Sequence, residues 1–376
     1  MPHLDTIFDL YDFNESQKTG LLEALSLVGC NVEEFATAEM TLDALNESLQ
    51  NSFLRPVGSE RDHLSDKFKD EALRAKLLPL LSPFIDEMNS GNNIAVKLLL
   101  GASEEGVRER LDILVELTQK GYLTQVIYPL GGARELWAVR EPSTIKLVAQ
   151  ELALVKKINL NDAITEVGNK ISEFFITAIE MKNNREAYTD KEFTVETNKA
   201  HANLIEYFTK VVGITWPTEA DMMEGLIAEY KLKLPNIEFK PVVNVSKKLN
   251  QAGQWVRPDT LDTYNKMWEM YGDAISMQAL NDGKVEMSII TTQPFGYYQE
   301  QQAKTAFYGK QIEVKTVAKA ASATVNFAIV FDSFARTIFS GRVIALEKLR
   351  YTYTEVEKPS SFADRCLVST NNQLCR

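Results

Sequence analysis

The chain has 376 residues, 45% of them hydrophobic and 25% charged, with a formal net charge of -11; this exceeds what one ordinary core needs and fits one large domain with extensions, or two domains. The acidic balance excludes broad phosphate-backbone binding, which requires clustered Lys and Arg, so no nucleic-acid partner is expected. Three cysteines, Cys30, Cys366 and Cys375, are too few and too scattered for a disulfide framework or a zinc knuckle, so a reducing compartment and no metal are expected.

The first ten residues, MPHLDTIFDL, carry acids among their apolar side chains and lack the basic start of a signal peptide. The apolar runs near residues 94–100 and 285–292 fall far short of the roughly 20 residues a bilayer demands. No transmembrane segment is therefore expected, and the cytosol is the expected compartment, with export into another cell left open.

Residues 1–90 read as helical: the runs Gln17–Leu27, Ala38–Leu49 and Asp66–Met88 repeat apolar residues at spacings of three and four, with Asn14, Ser16 and Thr41 as cap candidates. At Ser90-Gly91-Asn92-Asn93 the pattern changes. The apolar run Ile94–Leu100 predicts a strand, followed by a helix over Glu104–Lys120. A second strand, Leu123–Leu130, runs into Gly131-Gly132-Ala133-Arg134, and Glu141-Pro142-Ser143 opens a helix through Val155.

Residues 158–235 read as a helical insertion, with helices over Ala163–Lys182 and Asn198–Val212 and another from Trp216-Pro217-Thr218 to Leu232. Strand and helix then alternate: Val242–Val245, Asp259–Tyr271, Val285–Thr292, Gly296–Tyr308, Ile312–Val317 and Ala328–Phe339. The expected fold class is α/β, a Rossmann-like, doubly wound, mainly parallel sheet. Its expected parts are a helical region over 1–90, a core over 91–345 interrupted by the insertion, and a polar tail over 346–376.

In such sheets ligands bind beyond the carboxyl ends of the strands, where the winding reverses. After the first strand, Gly101-Ala102-Ser103 offers backbone N–H groups and a helix N-terminus to a phosphate or carboxylate, or equally a tight turn with Ser103 as N-cap. After the second, Gly131, Gly132, Arg134 and Glu135 place a bidentate donor beside a flexible turn; Arg134 either clamps an anionic group or pairs with Glu135 or Glu141. After the third, Arg257, Asp259, Thr260, Asp262, Thr263 and Asn265 gather polar groups at a helix start. After the fourth, Thr291, Thr292 and Gln293 precede Phe295, Tyr297 and Tyr298, a mixture suited to a pocket wall, with core packing as the rival reading of the aromatics.

Carboxylates such as Glu135, Asp259 or Asp262 fit acid or base work in a hydrolase or transferase, but no nucleophile stands out and no catalytic residue is assigned. Asp332-Ser333-Phe334-Ala335-Arg336-Thr337 echoes a phosphatase motif, yet Phe334 occupies the second acid position and the segment reads as helix, so it is assigned to packing. His3, His63 and His201 lie outside the strand-end loops, which gives a catalytic triad or a histidine metal site little support.

In order and spacing, the strand ending in GAS, the strand ending in LGGARE, the loop RPDTLDTYN and the segment IITTQPFGYYQEQQAKTAF resemble the bacterial SanA, ElyC and YdcF-like proteins. Actinobacterial relatives with GGAR and SQPF-type segments resemble them more closely still. The resemblance covers roughly residues 94–340 without the insertion. It implies a Rossmann-like fold and a nucleotide-like ligand, which in one branch is S-adenosylmethionine. Its glycine loop falls on Gly101, Ala102 and Ser103, its Gly-Gly turn on Gly131 and Gly132, its helix start on Thr260, Thr263 and Asn265, and its late strand-end segment on Thr291, Thr292 and Gln293.

Gln293-Pro294-Phe295 stands where the family carries a histidine and an arginine, and the membrane anchor of some relatives is lacking, so neither shared catalysis nor envelope localisation carries over. The functional expectation is a small-molecule-binding protein for a nucleotide-like ligand, with a transferase or hydrolase reaction left open. The alternative is a protein-interaction module whose helical regions dock a partner while the α/β pocket has degenerated.

Overall fold

The computed structural model describes residues 2–54, 68–184, 187–249, 253, 255–322 and 324–355. His63, Cys366, Cys375 and residues 356–376 of the expected tail lie outside the described residues. The chain divides into two compact units, one made of Met1–Phe84 with Val325–Arg376 and the other of Ile85–Thr324.

The first unit begins with α1 (Pro2–Leu10), α2 (Glu15–Leu27), α3 (Ala38–Phe53) and α4 (Glu71–Ile85). Asn14 caps α2, its side chain accepting from Gln17 N at 3.0 Å while Gln17 Oε1 accepts from Asn14 N at 2.8 Å. Thr37 rather than Thr41 caps α3.

The second unit is the α/β body. Its elements in order are β1 (Met88–Asn89), β2 (Val96–Leu100), α5 (Glu104–Gln119), β3 (Val126–Gly132), α6 (Ser143–Lys156), α7 (Leu160–Phe174), α8 (Ile176–Asn183), α9 (Asp190–Glu206) running into a π-helical turn at Tyr207–Val212, α10 (Glu219–Tyr230), β4 (Glu238–Phe239) and β5 (Val243–Val245). There follow the hairpin β6 (Lys248–Leu249) and β7 (Trp255–Val256), then α11 (Thr260–Asp282), β8 (Val285–Thr292), α12 (Gly296–Ala306) and β9 (Ile312–Lys319).

The sheet runs β1-β9-β8-β2-β3, with β4 and β5 both pairing β3. Every ladder in it is parallel except β1 with β9. The chain lays down β2, steps outward through β3 to β4 and β5, and returns to place β8 and β9 on the other side of β2. Winding therefore reverses between β2 and β8, the arrangement of a doubly wound Rossmann-like sheet. Pro241 has no N–H to give the ladder, and it lies between β4 and β5, which together act as one interrupted outer strand.

Alternation along β2 sorts side chains onto two helix layers. Val96, Leu98 and Leu100 join Tyr264 and Met267 of α11 and Ala303 of α12 on one face; Leu99 joins Val107, Leu111 and Leu114 of α5 and Met222, Met223 and Leu226 of α10 on the other. Lys97 points to that second face and is fully buried. Its Nζ donates to the Gly91 carbonyl at 2.7 Å and to Ser288 Oγ at 3.1 Å, and burial pulls its pKa down to about 8.

A third cluster explains the insertion. Val148, Ala149 and Leu152 of α6 pack with Ala163 and Val167 of α7, Leu204 of α9, Phe208 and Trp216. The boundaries expected at 158 and 235 consequently shift: α6 belongs to this helical cluster, whereas α10 lies on the sheet as the crossover from β3 to β4, because Met222, Met223, Leu226 and Ile227 face α5 and β3.

The last helix, α13 (Phe327–Glu355), belongs to the first unit and not to the α/β series that ends at Thr324. Phe331 stacks on Phe53 at 4.7 Å and on Phe68 at 5.3 Å, and the Tyr11 hydroxyl donates to the Ile338 carbonyl at 2.7 Å. Asp332 is buried and pairs with Arg336 at 3.0 Å within the same helix. Among the described residues no helix is long and apolar enough to cross a membrane.

Candidate ligand site

The turn at Gly101-Ala102-Ser103 follows β2 and sits where the winding reverses. Gly101 N donates to the Leu130 carbonyl at 2.7 Å, which ties the end of β2 to β3. Ser103 caps α5, accepting from Gly106 N at 3.4 Å. Glu104, the first residue of α5, is buried and looks away from the turn, accepting from Ser143 N at 2.7 Å and pairing with Arg108 at 3.0 Å.

Two further turns of α5 bring Arg110 back beneath the same point. It is 2% exposed; Nη1 donates to the carbonyls of Leu100 and Gly101 at 2.7 Å each, Nη2 donates to Thr291 Oγ1 at 3.2 Å, and Nε has no partner among the described residues. One guanidinium thus bridges the carboxyl ends of β2 and β8. Among the described residues no carboxylate lies within ion-pair distance of it, and burial lowers its pKa, although Tyr298 and Glu219 among others favour the charge.

Arg134 follows the second strand but is not free to clamp a ligand. Its two terminal nitrogens meet Glu141 at 2.9 and 2.7 Å in a forked pair, and Nη2 also donates to the Ala102 carbonyl at 3.0 Å. Glu141 is 2% exposed and also accepts from Trp137 N at 2.7 Å. Of the two uses open to Arg134, the internal pair is the one found, and it fixes the β3 loop to the β2 turn.

Glu219 completes the group. Residues 217–219 run alongside residues 134–136, with Leu136 N donating to the Pro217 carbonyl at 3.0 Å and Glu219 N to the Arg134 carbonyl at 2.9 Å. Asp221 takes the capping contacts at the start of α10, accepting from Thr218 N and Oγ1 at 2.7 Å each. The Glu219 side chain is left to lie over the strand ends: a Cβ added at Gly101 would stand 2.7 Å from its Cδ, and one added at Gly132 would stand 3.4 Å from its Oε2. Gly131 is held to a bare backbone in the same way by Ala220, whose Cα would stand 3.0 Å from an added Cβ.

The Glu219 side chain is 14% exposed, and its nearest ionic neighbour is Arg134 Nη2 at 4.0 Å. It makes no hydrogen bond through its carboxylate to any described residue. Burial raises its pKa, opposed by Arg134 and Arg110, reinforced by Glu141 and opposed more weakly by Arg257. A carboxylate in this setting can accept hydrogen bonds from a ligand, and its raised pKa makes it easier to protonate than an exposed one. Its presence over Gly101 also makes the β2 turn a poor cradle for phosphate, since the two anions would repel.

The remaining candidates divide. Thr291 is buried and joins the site through Arg110 and through its hydroxyl contact with the Gln299 side chain. Thr292 ends β8, half-buried. Gln293 is structural, its Nε2 donating to the Asp86 carbonyl at 3.1 Å and its Oε1 accepting from Gly296 N at 3.3 Å. Arg257 is exposed and acts on Glu219 through charge, while Pro258 packs against Gly132.

Asp259 and Asp262 close a capping box on α11 and pair with Lys248; Thr263 donates to the Thr260 carbonyl at 2.7 Å, and Asn265 is exposed. Glu135 pairs with Lys247. The three carboxylates expected to serve as acid or base are therefore engaged, whereas Glu219 keeps both oxygens free of hydrogen bonds to described residues. Among the described residues, no group of three or more His, Cys, Asp or Glu is placed to hold a metal.

Two residues of the site escape a sequence reading. Arg110 shares the buried face of α5 with Val107, Leu111 and Leu114, and a charge at an apolar position of an amphipathic helix is the signal that marks it. Glu219 has no such signal, since an acid in the first turn of a helix complements the dipole anyway. The chain matches no family model, and no curated protein or solved structure matches it.

Proposed function

We propose that this protein binds a nucleotide-like small molecule at the carboxyl ends of β2, β3 and β8, with S-adenosylmethionine as the first ligand to test. The observation that carries this reading is the reversal of winding between β2 and β8, occupied by Gly101, the buried Arg110 and the carboxylate of Glu219. Side chains at Gly101 or Gly132 would press on Glu219, so the bare backbone there leaves room for the carboxylate that a ligand would meet. With Ser103, Glu135, Asp259 and Asp262 all engaged, binding rather than a nucleophilic step is the activity these groups support, and a transfer or hydrolysis reaction would draw on Glu219 as acid or base.

The test is a thermal-shift titration of S-adenosylmethionine, adenosine and ATP against the full chain. A ligand present at 100 times its Kd adds about 2.7 kcal/mol to the folded state and raises the melting temperature by several degrees. No rise with any of the three, in a sample that melts cooperatively, refutes the nucleotide reading.

A second reading, partner docking through the helical cluster, is favoured by its exposed apolar side chains: Leu154 at 79%, Val155 at 54%, Ile176 at 57% and Val211 at 73%. Charged substitutions at Leu154 and Val211 test it better than deletion of 158–235, which would remove α10 from the sheet. Loss of a co-purifying partner supports docking, and an unchanged set of partners rejects it.

A further inference from the structure

The charges around Glu219 also restrict which part of a ligand it meets. The inference rests on the small-molecule reading above and narrows it. Arg134 has committed its terminal nitrogens to Glu141 and to the Ala102 carbonyl, and Arg110 has committed its own to the Leu100 and Gly101 carbonyls and to Thr291. Both cations act on Glu219 through their field, yet neither donates a hydrogen bond to it. The carboxylate keeps two oxygens with acceptor capacity, and whatever satisfies them must donate.

An anionic ligand group would be repelled by Glu219 and by the buried Glu141 behind it. An ammonium group would meet the field of Arg110, Arg134 and Arg257. A neutral group carrying two adjacent O–H donors faces neither penalty, and two oxygens of one carboxylate accept from such a pair together. We propose that Glu219, lying over Gly101 and Gly132, receives the cis-diol of a ribose, so that the sugar of the ligand meets its carboxylate at the carboxyl ends of β2 and β3. The glycines then serve a second purpose, since any side chain there would displace Glu219 from the diol.

Calorimetric titration with adenosine, 2′-deoxyadenosine and 3′-deoxyadenosine tests this on the wild-type chain and on Glu219→Gln and Glu219→Ala. Adenosine should bind the wild type, each deoxynucleoside should bind about 10- to 100-fold more weakly, and Glu219→Ala should bind all three at the weakened level. Glu219→Gln keeps the side-chain shape and should lose affinity for adenosine while losing most of the discrimination. Equal binding of the three nucleosides by the wild type overturns the diol assignment and leaves the nucleotide reading intact. Failure of both adenosine and S-adenosylmethionine to bind the wild type overturns that reading and this one with it. If Glu219→Ala does not fold, the three wild-type titrations decide the matter without it.

Discussion

Acid should strip stability from the helical cluster of the α/β unit through one residue, His201. Its ring stacks on Trp137 with centroids 4.2 Å apart and planes 11° from parallel, meets Trp216 edge-on at 6.0 Å, and buries Nδ1 without a partner among the described residues. Burial lowers its pKa from 6.5 to about 4, against the opposing pull of Glu135 and Glu141, with Arg134 and Arg140 adding to the fall. A base whose folded value lies below its unfolded value binds more protons when unfolded, so the stability it confers is present above pH 6.5 and is lost as the pH falls toward 4. At about 1.4 kcal/mol per pH unit, that interval is worth about 3 kcal/mol. His201→Phe keeps the stack, removes the titration and removes the unpartnered nitrogen, so at pH 7 it should be at least as stable as the wild type. Urea unfolding between pH 7 and 4 should show the variant losing about 3 kcal/mol less. The chain has 3 histidines, so the His201 ring can be followed directly by NMR. Equal acid loss in both proteins, or a His201 ring that titrates near 6.5, would refute the reasoning.

Lys97 obeys the same sign at the other end of the scale. With a folded value of about 8 against 10.5 unfolded, it should add about 3 kcal/mol of stability as the pH rises from 8 to 10.5, and Lys97→Met should remove that slope from denaturant curves. Glu141→Ala leaves the buried Arg134 guanidinium without its forked partner and should cost about 3 kcal/mol in urea unfolding; a cost below about 1 kcal/mol would place the pair among weak surface bridges. Gly101→Ala puts a methyl 2.7 Å from Glu219 Cδ and 2.9 Å from the Leu130 carbonyl oxygen. It should cost about 1–3 kcal/mol in the same assay and weaken adenosine binding to about the level of Glu219→Ala, whereas retention of full stability would show that the β2 turn yields easily.

The alternation of strand and helix is legible because it is local: Val96–Leu100 is apolar throughout and Glu104–Gln119 carries a helical stripe, so each declares its own period. That alternation predicts a parallel sheet, whereas the strand order, and with it the point where winding reverses, is visible only in the structure. What was hidden depends on partners distant in sequence. Nothing within Phe327–Phe339 says that Phe331 will stack on Phe53 instead of on the sheet. The same holds for α10, whose apolar residues read equally as part of a helical insertion or as a crossover helix, and only their burial against α5 decides. Arg134 was legible as a site residue, but its commitment to Glu141 turned on the fold of the loop between them. Glu219 was not legible, since its importance lies in what it fails to bond.

The interrupted outer strand at Pro241 also bears on how the protein behaves in concentrated solution. A sheet with a long bare margin invites a second chain to add itself there, and repetition of that step produces aggregates. Here one margin is broken into Glu238–Phe239 and Val243–Val245 by a residue without an N–H, and the other is closed by the two-residue antiparallel strand Met88–Asn89. Neither offers the continuous ladder that strand addition requires, so a largely parallel sheet of Val, Ile and Leu can stay within a single molecule.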